Sequence, residues 1–383
     1  MNKKIIPFFA MALTAGHLVS CNAGAKYDST EGMEKTGRVA LVDGTDTAGT
    51  TWDPVTATNE VERVLTSTGD LTDVVLSNND GMALGIIANQ TFKDAGIPIF
   101  GVDALADAIQ GIKDGTIAGT IKNDSYTQAG VTLQAAKNLI EGKTITDGIT
   151  NETYKGIYTN AEGKVEVEEG TKALRVHHQM VTKANVNELV TPETVATNTI
   201  GSTEADATKV FALTYNNSDP NMSGLWKPGF NDYGKKLNMQ VDWVDGQGDD
   251  KKALEAVEAA AADSSYAAFL INPVDNTNGT AYINLLKETG KPIIFWNREV
   301  KKEQMATYEK AYYVGIESAE GGRLQGQMAA EYILNNGGFE KFDRNGDGRI
   351  GFIVVRGEKG HPDAEARTVA SPENLEKFLK AAK

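Results

Sequence analysis

The stretch Gly357-Glu-Lys-Gly-His-Pro-Asp-Ala-Glu-Ala-Arg367 decides how this chain is read. It follows an apolar run, Ile350 to Val355, with the length and composition of a buried strand. Gly357 and Gly360 allow a sharp turn out of that strand. Pro362 suits the first position of a following helix, and Asp363 suits its positive N-terminal end. His361, Asp363 and Arg367 therefore stand at the carboxyl end of a strand and in the first turns of a helix, where open α/β sheets bind small ligands. Asp363 and Arg367 are four apart and share a helical face. An acceptor, a fork-shaped donor and an imidazole aimed into one space suit a neutral ligand covered in hydroxyls, each of which donates and accepts. The alternative is an exposed, helix-stabilising ion pair beside a capping histidine.

Working outward, the same grammar repeats. Strand-like runs at 39–42, 73–77, 97–102 and 117–121 alternate with helical patterns at 55–65, 82–92, 104–113 and 126–141. A polar, irregular region covers 142–169, and 173–176 reads as a short strand. A Thr- and Ala-rich linker without apolar periodicity fills 191–207. The alternation then restarts, with strands at 210–214, 239–244, 267–271, 292–296, 312–315 and 350–355. Helices are expected at 223–237, 251–261, 280–289 and 319–335, and Ser371-Pro372 reads as the cap of a separate final helix, 373–383. Strand alternating with helix predicts an α/β fold of parallel sheets with helices on both faces. Polar residues stand just past strand after strand: Asn79, Asp103, Asn123, Tyr215, Asn272 and His361.

The 383 residues are enough for two domains. A net charge of −14 argues against nucleic-acid binding, because phosphates would be repelled. No interior segment has the apolar length of a membrane span. The single cysteine, Cys21, excludes an internal disulfide. Lys3 and Lys4 precede an apolar segment, 5–15, and then Leu18-Val19-Ser20-Cys21. This resembles the lipobox of bacterial lipoproteins, so 1–21 is expected to be a signal peptide, Cys21 the lipid-bearing residue, and 22–36 a tether. An ordinary secretory signal with an incidental cysteine is the alternative, and export follows from either.

Asp343-Arg-Asn345-Gly-Asp347-Gly348-Arg349 matches the first half of an EF-hand loop: side-chain oxygens at positions 1, 3 and 5, glycine at 6, and the Arg349 carbonyl at 7. Position 9 is Gly351, and position 12 is Val354, where an EF-hand carries glutamate. A strand follows rather than a helix. The loop is either a structural calcium site completed by a carboxylate from elsewhere or a polar, Gly-rich turn.

Several segments together carry a resemblance. The stretch 357–368, with 311–315, Asn78 to Asp80 followed by Met82, 100–104 and 118–124, resembles the periplasmic D-galactose/D-glucose-binding proteins, two-lobed sugar receptors of ABC importers and of chemotaxis. The order is inverted: 209–383 resembles the first part of such a protein and 37–190 the remainder. The arrangement resembles a circular permutation like that of the treponemal glucose-binding lipoprotein, with 191–207 joining the family's natural ends. The resemblance implies a type I periplasmic binding protein fold. One lobe comprises 37–122, 173–190 and 298–383, and the other comprises 123–172 and 208–297.

The resemblance also implies the sugar contacts, position by position. His361, Asp363 and Arg367 match the family motif, as do Asn79, Asp103 and Asn123. Tyr215 and Asp219 match an aromatic and an aspartate after the first strand of the later half, and Asn272 matches an asparagine after its third strand. Trp52 stands where the family stacks a tryptophan on the pyranose. Asn221 stands where the family has a second stacking aromatic, with Trp226 as a candidate replacement. For calcium, the loop residues Asp343, Asn345, Asp347 and Arg349 match, and Asp73 takes the place of a longer carboxylate. Asp73 and Gly351 predict weakened metal binding. The function implied is a monomeric receptor, lipid-anchored at the periplasmic face of a bacterial membrane. It would capture D-glucose or D-galactose, with a tilt towards glucose, and deliver it to an ABC permease or a chemoreceptor. A glycosidase using Asp103 and Asp363 is the enzymatic rival, and a site rich in neutral asparagines argues for holding a sugar rather than cleaving it.

Overall fold

The computed structural model describes residues 27–28, 39–42, 52–168, 170–189 and 192–382. Cys21 and most of the expected tether lie outside the described residues, although Tyr27–Asp28 of the tether form a two-residue strand. The strands in chain order are β1 (Tyr27–Asp28), β2 (Val39–Val42), β3 (Val74–Ser77), β4 (Ile99–Val102), β5 (Gly119–Lys122), β6 (Ala173–Arg175) and β7 (Gln179–Val181). They continue with β8 (Thr199–Gly201), β9 (Thr208–Thr214), β10 (Met239–Asp245), β11 (Ala268–Ile271), β12 (Ile293–Trp296), β13 (Ala311–Gly315) and β14 (Ile350–Val355).

These strands form two sheets of seven. The first runs β1-β2-β14-β3-β4-β5-β7, parallel in its middle, with β1 and β7 antiparallel at the edges. The second runs β6-β13-β12-β11-β9-β10-β8, parallel except for β8. The central strands are apolar runs because helices cover both faces and bury every position. The result is an α/β fold of two lobes. The chain passes between sheets after β5, between β6 and β7, between β7 and β8, and between β13 and the helix Ser318–Asn335, whose Met328, Ala329 and Ile333 pack on the first sheet.

That topology corrects the expected lobe boundaries. β6 and β13 belong to the second sheet, so 173–175 and 298–315 leave the first lobe. The reason is pairing: β13 lies between β12 and β6, and Arg175 closes the edge with an ion pair to Glu299 at 2.8 Å. The expected linker contains β8, which pairs antiparallel with β10. The two terminal helical segments are one helix, Pro362–Ala381, running through Pro372. Proline ordinarily breaks a helix interior. Here the helix lies so close to Ser318–Asn335 that a Cβ on Gly326 would sit 2.0 Å from the Ser371 carbonyl oxygen. Ser371 also donates its hydroxyl to Gln325 at 2.7 Å. Tight packing overrides the local preference.

Candidate functional site

The carboxyl ends of both parallel sheets face each other across one cleft. The first lobe contributes Trp52, Asn79, Asp103, His361, Asp363 and Arg367, and the second contributes Tyr215, Asp219, Asn221, Met222, Asn297 and Arg298. Asn123 lines it from the crossover after β5. Nine of the ten residues singled out as sugar contacts thus share one space. Asn272 does not reach the wall. It is fully buried, donates to the Met222 sulfur at 3.4 Å and accepts from Asn297 at 3.5 Å, so it sits behind those two residues. Trp226 does not replace a stacking aromatic either, being fully buried in the second lobe's core with Trp296 at 4.6 Å between ring centroids.

Local chemistry aims these groups. His361 caps the helix Pro362–Ala381, its Nδ1 accepting the Asp363 N–H at 3.2 Å. The ring is therefore a neutral Nε2–H donor, and burial together with Arg298 and Arg367 holds its pKa down to about 3. Burial pushes the Asp363 carboxyl up, but Arg367 and His361 outweigh it, and the group lies below the usual carboxylate range. Burial raises Asp103 well above that range against the pull of Arg367. Asp219 is also raised by burial, although it accepts from the Tyr215 hydroxyl. Arg367 donates through Nη1 to the Asn78 carbonyl at 3.0 Å; among the described residues its buried Nε and Nη2 make no hydrogen bond, Nη2 standing 3.6 Å from the Asp363 carboxylate. Buried donors left without partners are costly, so they mark where a ligand oxygen is wanted.

Trp52 lies flat against Gly357: a Cβ on Gly357 would come within 2.2 Å of the indole. His361 meets the indole edge-on at 5.3 Å. Strain gathers here as well. Trp52 and Ala104 have φ of 62° and 61°, and Asp103 has φ of 120°, in a region that bulky L-residues rarely enter, while Asn297 takes the same left-handed region at 60°, which asparagine tolerates.

A family model described as a periplasmic binding protein domain matches residues 12–144 and 211–381, well over half of the chain. The chain belongs to this family. A similar relative is the D-galactose/methyl-galactoside binding periplasmic protein MglB of Haemophilus influenzae, 43% identical over 101 residues. The match spans 26% of this chain and 30% of that protein. Among solved structures, the Caulobacter myo-inositol binding protein bound to myo-inositol is similar at 17% identity and a TM-score of 0.30, over 39% of this chain and 56% of that one. The chain therefore covers less than two thirds of either protein.

In this binding protein, Asn297 and Arg298 are wall residues that sequence reasoning did not assign. They follow β12 directly, so the strand-end rule that found Asn79 and Asp103 was a usable signal. Arg298 donates to the Val274 carbonyl and to Glu358, each at 2.7 Å, and its guanidinium covers the Tyr215 ring at 3.8 Å.

At the calcium-like loop, Asp73 reaches across as expected, but its oxygens accept the N–H groups of Arg344 at 3.2 Å and Gly351 at 2.7 Å. Asp343 accepts from Asp347 and Gly348, Asn345 accepts from Asp347, and Asp347 accepts from the Arg349 N–H. Among the described residues no group of three or more His, Cys, Asp or Glu is placed to hold a metal ion. Donors of the right type converge, yet they hold the loop's own amides, so the fit to calcium is partial.

Proposed function

We propose that this periplasmic binding protein is a receptor for a neutral hexose, D-glucose and/or D-galactose, held between its lobes and delivered to an ABC permease. The observation that carries this reading is the mixture in one interlobe cavity: carboxylates, amides, two arginines and a neutral imidazole around the Trp52 indole. Hydroxyls match such a set, and the C–H face of a sugar matches an indole. Because both lobes supply contacts, a bound sugar favours the closed state, which a permease would read. A chemoreceptor reading closure without transport is the alternative partner.

The proposal includes four further parts. The chain is a circular permutation, supported by β14, the last strand, lying between β2 and β3. The protein acts as a monomer anchored through lipid on Cys21, supported by the lipobox-like sequence. Calcium binds weakly at 343–349, as a structural ion. The protein holds sugar rather than hydrolysing it, supported by its family and by the amide-rich wall.

Titration calorimetry with glucose, galactose, ribose and xylose tests the reading. Hexose binding is expected, and Trp52→Ala and Asp363→Ala should each weaken it by at least ~1.5 kcal/mol, the scale of a lost charged hydrogen bond. Unchanged affinity in both variants rejects the site, and turnover of aryl-glucosides rejects the receptor.

A further inference from the structure

A pyranose ring has two faces, and this cavity treats them differently. The first lobe offers one face the indole of Trp52. The second lobe has Tyr215 on its wall, but Arg298 covers that ring and its hydroxyl is committed to Asp219. Beside it stands Asn221, buried at 7% exposure and held at three points. Its N–H donates to Asp219 at 2.8 Å, its Oδ1 accepts from Ser125 at 2.9 Å, and its Nδ2 donates to Asp103 Oδ1 at 3.3 Å. A primary amide carries two amino hydrogens. Asp103 takes one, and among the described residues the amino group makes no second hydrogen bond.

We propose that Asn221 sets ligand specificity by bonding an axial hydroxyl on the ring face turned away from Trp52. The preferred ligand is then a pyranose of galacto rather than gluco configuration at C4. This inference rests on the hexose-receptor reading. An all-equatorial ring presents only C–H bonds to each face. Against Asn221 it would bury an amide N–H with no acceptor, which is costly. An axial oxygen supplies that acceptor. Its proton has a place to go as well: Asp103 Oδ1 already accepts from Asn123 at 3.4 Å and from Asn221, leaving Oδ2 for the ligand. One axial hydroxyl would thus tie together Asp103 of the first lobe and Asn221 of the second.

The test is calorimetry with 1,5-anhydro-D-galactitol and 1,5-anhydro-D-glucitol, which lack the anomeric hydroxyl and differ only at C4, alongside D-galactose and D-glucose. The galacto member of either pair should bind about tenfold more tightly, the scale of one hydrogen bond to a buried donor. Asn221→Phe exchanges the amide for a stacking ring and should reverse the order. Asn221→Leu removes the donor without adding a ring and should bring the two affinities within about twofold. Thermal melts verify that each variant folds, and if the Phe variant does not, the Leu variant decides. Equal affinities in the wild type, or a wild-type ratio retained in Asn221→Leu, overturns the role of Asn221 while leaving the hexose receptor intact. No binding of any of the four ligands by the wild type overturns the receptor and this inference together.

Discussion

Arg298 and Glu358 meet across the cleft, guanidinium to carboxylate, at 2.7 Å. Arg298 follows β12 of the second lobe and is buried, while Glu358 lies in the turn after β14 of the first lobe and is partly exposed. Opening the cleft separates them, so the pair contributes only to the closed form. Glu358→Ala leaves a buried guanidinium without its carboxylate and penalises closure. Water reaches Glu358, so the expected cost is about 1 kcal/mol, roughly fivefold in hexose affinity. Calorimetry measures the affinity and small-angle scattering the closure. A variant that closes and binds like the wild type would show the pair to be incidental.

Gly357 is the floor under Trp52. An added methyl would sit 2.2 to 2.4 Å from three indole carbons, far inside van der Waals contact, so the ring must lift. Gly357→Ala should therefore reproduce most of the affinity loss of Trp52→Ala, about 1.5 kcal/mol, with little loss of thermal stability. A shift in indole fluorescence on sugar addition should disappear with it. Wild-type affinity in Gly357→Ala would mean that the indole does not stack on the sugar.

Much of this site was legible because parallel strands buried on both faces read as apolar runs, and polar residues stand just past their carboxyl ends. Asn79, Asp103, Asn123 and His361 were found that way, and the structure places them on one wall system. The same rule misled at Asn272, because a strand end gives the direction of a side chain but not the depth at which it stops. What the local sequence does not carry is pairing between distant segments. β13 and β6 are short, and nothing in either says which sheet it joins; Arg175 and Glu299 settle that across the fold. Pro372 looked like a helix start until Gly326 allowed a second helix to press against its turn. Arg298 stands just past β12, where the strand-end rule could have found it, but its contacts to Val274, Glu358 and Tyr215 come from distant segments.

Asp80 gives the protein a pH dependence. Its carboxyl is fully buried over Gly101 and accepts from Thr120 at 2.7 Å and from the Leu105 N–H at 2.9 Å. Burial nevertheless pushes its pKa from 3.8 up to about 7. A folded pKa above the unfolded one means that the native state binds the extra proton. The contribution is fully present below about 3.8 and is lost as pH rises through about 7. Asp80→Asn keeps the packing and removes the titration. Denaturant melts from acid to neutral pH should show the wild type losing stability relative to Asp80→Asn across that window. Parallel profiles for the two proteins would place the proton elsewhere.

Calcium should stabilise the loop 343–349 only at high concentration. A cation must take Asp73, Asp343 and Asp347 oxygens that now accept backbone N–H groups, and Gly351 offers no side chain at a position where EF-hand loops hold a ligand through water. Lengthening the one carboxylate that comes from outside the loop is the direct remedy. Asp73→Glu should reach further toward the centre of the loop, lower the calcium concentration that half-saturates the site, and enlarge the rise in melting temperature between chelator and saturating calcium. Binding at one hundred times Kd stabilises a fold by about 2.7 kcal/mol, so the effect lies within reach of a thermal melt. If neither protein responds to calcium, the loop is a turn held by its own amides. If the wild type responds at micromolar calcium and Asp73→Glu responds no better, the ion is held by oxygens other than Asp73.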